Sequence, residues 1–211
     1  MGEGGGARKR AATFGPMPDL VTRFFFDFVD PLSYMIELAL ADWEDALGVR
    51  VERTGWELRP PPSPLLRVSD PFWADRWAAA RDTGRAPELT PPKLVPWTRK
   101  AHELLAFAEG RDVGSQVRRG IFEAYFAAGR DIGRIDQLVE IAAAHGLDRT
   151  ETKAALDVDR HEEDVLAARL RATELGVHEL PTILVGGKLV EGFRNLSDLS
   201  TLLGGPPVGG R

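Results

Sequence analysis

The chain has 211 residues, 43% hydrophobic and 28% charged, which suits one ordinary globular domain or one domain carrying a large insertion. Its net charge of -5 lacks the clustered excess of Lys and Arg that attracts phosphate backbones or anionic lipid, so nucleic acid and membrane partners are not expected. There is no cysteine, which excludes disulfide exchange by thiols of its own. No apolar run approaches the roughly 20 residues of a membrane-spanning helix. The leading segment also lacks the apolar stretch of a secretory signal, so the expected location is the cytoplasm.

Residues 1–19 are Gly-rich, carry a basic cluster at Arg8 to Arg10, and show no periodicity able to bury apolar surface; they read as a flexible tail. In VTRFFFDF, Phe24, Phe26 and Phe28 alternate with Phe25 and Asp27, as in a strand with one fully apolar face. Asp30 and Pro31 follow, a favoured helix cap and a favoured first helical residue. The helix they open carries Ile36, Leu40, Trp43 and Leu47 on one stripe and ends at Gly48. Val49 and Val51 then alternate with Arg50 and Glu52, giving a second strand and a sheet that is at least partly parallel.

The segment RPPPSP at 59–64 fits neither helix interior nor central strand, and marks the start of an insertion. Helical spacing returns at Ala101, Leu104, Leu105 and Ala108, then at Val117, Ile121, Ala124 and Tyr125, then at Ile135, Leu138, Val139 and Ala142. The closing segment reads as a strand at Thr182 to Val185, a Gly186-Gly187 hairpin, a strand at Leu189 to Glu191 and a last helix through Leu203. The expected architecture is α/β: a thioredoxin-like unit of residues 20–64 and 176–205, a helical insertion of residues 65–175 in its middle, and a flexible tail at 206–211.

Three separated motifs in order carry a family resemblance. FFFDFVDPLSYM resembles the strand and helix start of DsbA-like thioredoxin-fold proteins, a group that includes FrnE-type proteins, 2-hydroxychromene-2-carboxylate isomerases and kappa-class glutathione transferases. FEAYFAAGRDIGRIDQLVEIAAAHGLD is similar to the helical insertion of that group, and LGVHELPTILVGGKLV to its cis-proline segment. The likeness spans about residues 21–204.

The resemblance implies a site. Where the redox relatives open this helix with Cys-Pro-X-Cys, this chain has Asp30-Pro31-Leu32-Ser33; where the transferase and isomerase branch has a serine, it has Asp30. A helix start favours an anion through its unpaired amides and dipole. Asp30 supplies its own, and a second anion 4 Å away would meet repulsion of about 4 kcal/mol at an effective dielectric constant near 20. Activation of a glutathione thiolate there is therefore in doubt. Asp30 and Ser33 are the candidate catalytic residues: Asp30 as a base or merely as the cap, Ser33 as donor to a ligand or to a neighbouring carbonyl. Pro31, Leu180, Pro181, His178 and Arg194 are the candidate substrate contacts. By resemblance, Pro181 is the cis-proline and Leu180 the residue whose backbone pairs with an extended ligand.

No metal site is expected, since His161 with Glu162, Glu163 and Asp164 reads as a solvated face. His102 and His145 fall inside helical patterns and suggest no chemistry. Phe24, Trp73, Trp77 and Trp97 fit either a ligand cleft or the core. Two functions stay open: a small-molecule isomerase- or transferase-like enzyme, with glutathione as a possible but doubtful cofactor, or a non-catalytic binding or assembly module. Either takes a small-molecule or extended peptide-like ligand, and the resemblance makes a homodimer plausible.

Overall fold

The computed structural model describes residues 22–47, 50–82, 89–90 and 92–192. The elements run β1 (Thr22–Phe26), α1 (Pro31–Leu47), β2 (Val51–Gly55), α2 (Pro71–Asp82), α3 (Arg99–Glu109), α4 (Gly114–Phe126), α5 (Ile135–Ala144), α6 (Arg149–Asp157), α7 (Glu162–Glu174), β3 (Thr182–Val185) and β4 (Lys188–Glu191). The expected last helix, its neighbours Phe193 and Arg194, and Gly48 and Val49 lie outside the described residues. Among the described residues no helix is long and apolar enough to cross a membrane.

The sheet has the order β2-β1-β3-β4, with β1 parallel to β2 and antiparallel to β3, and β3 and β4 forming the hairpin. This is the strand, helix, strand, then strand, strand arrangement of a thioredoxin-like unit, with α2–α7 in the connection. The central position of β1 adds a second apolar face to the one expected. Phe24 and Phe26 enter the main core, while Phe25 enters a second cluster with Trp56, Ala172, Val177 and Leu180 on the opposite face. A strand covered on both faces reads as a continuous apolar run, which is what FFF is. β1 also ends at Phe26, before Asp27 and Phe28, and the chain turns there.

The main core continues from the sheet into the helices without a break. Tyr34 of α1 stacks on Phe122 and Phe126 of α4, each at 5.3 Å between ring centroids, and Phe28 packs against Phe122 at 5.0 Å. Such aromatic pairs add about 0.5–1.5 kcal/mol each beyond the area they bury. Burial raises the pKa of the Tyr34 phenol, with a further push from Glu123, so the ring stays neutral in this stack. A buried ion network ties the same helices to the sheet: Glu37 of α1 accepts from Arg118 of α4 at 2.9 Å and from Arg53 of β2 at 3.2 Å.

α2 begins on Asp70-Pro71, the same pair that opens α1. Asp70 caps it, its Oδ1 accepting from the Phe72 amide at 2.9 Å. The buried face of α2 is Trp73, Arg76 and Ala80, a helical stripe with a cation in its middle.

Candidate functional site

The turn after β1 aims two carboxylates inward. Asp27 is buried, and its oxygens accept from the amides of Phe28 and Leu58, both at 2.7 Å, and from His102 Nε2 at 3.1 Å. Since both oxygens already accept, the tautomer that fits carries its proton on Nε2. His102 thus anchors the turn between β1 and α1, whereas its helical spacing suggests only a place inside α3. Its ring lies against Phe28 at 4.8 Å and faces Gly55 across a gap too small for a side chain: a Cβ on Gly55 would stand 2.3 Å from Nδ1.

Asp30 caps α1, its Oδ2 accepting from the Ser33 amide at 2.8 Å and from the Ser33 hydroxyl at 2.6 Å. Neither reading of the Ser33 hydroxyl anticipated this, because its partner is the cap itself. Both residues have 0% exposure, and Pro31 beside them is buried. The other oxygen, Oδ1, accepts from Arg76 Nη1 at 3.0 Å. The helix-start anion is therefore neutralised from inside by a cation that sequence spacing did not single out.

Arg76 does more than pair with Asp30. Its Nη1 also donates to the Leu180 carbonyl at 2.5 Å, and its Nη2 to Glu179 Oε1 at 3.1 Å, while its guanidinium lies 4.5 Å from the centre of the Phe72 ring. The Leu180–Pro181 peptide is cis, and Leu180 and Pro181 are buried. Of the other sequence candidates, His178 is exposed and its amide donates to Glu191 Oε1 at 2.8 Å, so its ring joins none of the bonds around Asp30. Arg194 lies outside the described residues.

A cleft of about 230 Å³ opens outside this knot, walled by Leu32, Phe72, Ala79, Asp75, Arg76 and Glu179. A larger cavity, about 430 Å³, lies elsewhere, beside β2 between α3 and α7, and includes none of Asp30, Ser33 or Pro181 in its walls. Of the aromatics with two readings, Phe24 is core. Trp73 and Trp77 border a void of only about 30 Å³, and Trp97 is exposed, its indole donating to the Ser63 carbonyl. Among the described residues no cluster of metal-ligating side chains forms, and His161 Nδ1 pairs with Asp164 at the start of α7.

A cis-proline segment facing a helix start, with a helical insertion packed over both, defines a thioredoxin-fold protein whose reaction position holds no sulfur. The family model of the DSBA-like thioredoxin domain matches residues 21–204, and the chain belongs to that family. A curated relative is the uncharacterized protein YwbO of Bacillus subtilis, 30% identical over 181 residues that span 81% of this chain and 88% of YwbO.

Solved structures share the fold. A probable DsbA oxidoreductase, SCO1869 of Streptomyces coelicolor, is similar with a TM-score of 0.72 and 21% identity, covering 91% of this chain and 93% of its own. A 2-hydroxychromene-2-carboxylate isomerase follows with a TM-score of 0.67 and 18% identity, covering 88% and 95%. The cytosolic disulfide reductase DsbM of Pseudomonas aeruginosa, solved with GSH, has a TM-score of 0.64 and 18% identity, covering 81% and 88%.

Proposed function

We propose that this chain is a non-catalytic, ligand-binding member of the DsbA-like family, in which the former reaction centre has become an internal joint. The observation that carries this reading is Arg76, which holds the Asp30 carboxylate and the Leu180 carbonyl at once. A general base needs a lone pair directed at substrate. Asp30 instead spends one oxygen on Arg76 and the other on the amide and hydroxyl of Ser33, and neither residue is exposed. The backbone acceptor that an extended ligand would use beside the cis-proline is occupied as well. Glutathione, carrying net negative charge, gains no donor here that the protein has not already used.

The second reading, an isomerase- or transferase-like enzyme, is favoured by the open cleft beside Leu32 and Phe72. Titration calorimetry with glutathione, on wild type and on Asp30→Ser, separates the two. The binding-module reading predicts no saturable heat from wild type with millimolar glutathione. Micromolar affinity in wild type would overturn it and restore the glutathione-dependent enzyme. Binding gained only in Asp30→Ser would show that Asp30 is what closes the site.

A further inference from the structure

The geometry points to a small primary amine with an apolar, preferably aromatic, body as the ligand class of the cleft beside α2. This rests on the reading of the chain as a ligand-binding protein and adds the chemistry that the cleft selects. Leu32, Phe72 and Ala79 supply apolar wall, and the charged groups that line it are Asp75, Arg76 and Glu179. Arg76 is already matched from behind by buried Asp30, so among the described residues the carboxylates of Asp75 and Glu179 outweigh the one cation that lines the cleft.

Glu179 is half-exposed, at 57% for its side chain, and only one of its oxygens meets Arg76, at 3.1 Å. Asp75 makes no ion pair among the described residues and is exposed at the rim. An ammonium set between these carboxylates, with its hydrocarbon body on Phe72 and Leu32, satisfies both the charge and the apolar wall. An anionic ligand would have to displace Glu179 from Arg76 and still face Asp75. At 230 Å³ the cleft admits a single-ring compound, and a polyamine chain would leave the apolar wall unused.

The test titrates the full chain, at low salt, with 2-phenylethylamine and separately with 3-phenylpropionate, followed by protein-observed NMR. Saturable binding of the amine, with no saturation by the carboxylate, is expected. Glu179→Gln and Asp75→Asn should each weaken the amine about five-fold, the equivalent of roughly 1 kcal/mol for one charge near 4 Å in a water-like medium. Both residues are exposed, so these variants should fold. Equal binding of amine and carboxylate, no binding of the amine, or amine affinity unchanged in both variants overturns the assignment. Glutathione is titrated in the same series. Its binding to wild type would count against the closed helix start, whereas failure of the amine alone would leave that reading standing.

Discussion

Replacing Arg76 by alanine is expected to cost about 3–5 kcal/mol of folding stability, the range found when one partner of a buried ion pair is removed. Wild-type Asp30 is fully buried and Arg76 nearly so, at 7% exposure, so solvent does not screen the pair. Without the guanidinium the carboxylate keeps only its bonds from Ser33, and the Leu180 carbonyl loses its donor. For a chain of this size the loss corresponds to a fall in Tm of roughly 10 °C. Urea unfolding of wild type, Arg76→Ala, Asp30→Asn and the double variant isolates the pair. Asn keeps the helix cap, so the double variant should recover much of the loss by removing the unpaired charge. A loss below about 1 kcal/mol in Arg76→Ala would put the pair in the class of surface salt bridges, and with it the claim that this site is a joint between α2, α1 and the cis-proline segment.

What could be read without coordinates was whatever local chemistry dictates. Asp30-Pro31 opens a helix because a cap and a donor-free first residue belong there, and Gly186-Gly187 turns a hairpin because both residues take positive φ. The same logic applies to Asp70-Pro71, whose signal stood in the sequence and marks α2. Partners separated along the chain were not legible. Arg76 lies 46 residues beyond Asp30 and 104 before Leu180, so nothing in spacing joins them. Its place between Trp73 and Ala80 on one helical stripe was the available clue, since a cation on a buried face requires a buried anion. In the sequence Asp27 shares with Phe25 the positions that alternate with Phe24, Phe26 and Phe28. The fold ends β1 at Phe26, so Asp27 falls in the turn beyond the strand, where it takes His102. His178 precedes Pro181 by three residues in the chain, whereas His102, contributed by α3, meets Asp27 across 75 residues that no spacing rule links.

The packing of that histidine makes Gly55 the second position of large effect. Gly55→Ala is expected to destabilise by roughly 2–5 kcal/mol, although alanine suits a strand backbone better than glycine. The added methyl would stand 2.3 Å from His102 Nδ1 and 2.7 Å from Cε1, closer than any real contact. Overpacking of this kind costs about 1–3 kcal/mol when neighbours shift to make room. His102 has little freedom to do so, because its ring is packed against Phe26 and Phe28 and its Nε2 is held by Asp27. If the ring swings away it gives up a hydrogen bond to a charged group, worth about 1.5–3 kcal/mol. The cause is confirmed by a double-mutant cycle: on a His102→Ala background, which removes the ring, Gly55→Ala should cost almost nothing. An equal cost on both backgrounds would mean that the glycine matters through the β2 backbone. Strand β2 would then set the position of Asp27 through the Trp56 amide, which bonds the Phe26 carbonyl one residue away at 2.8 Å.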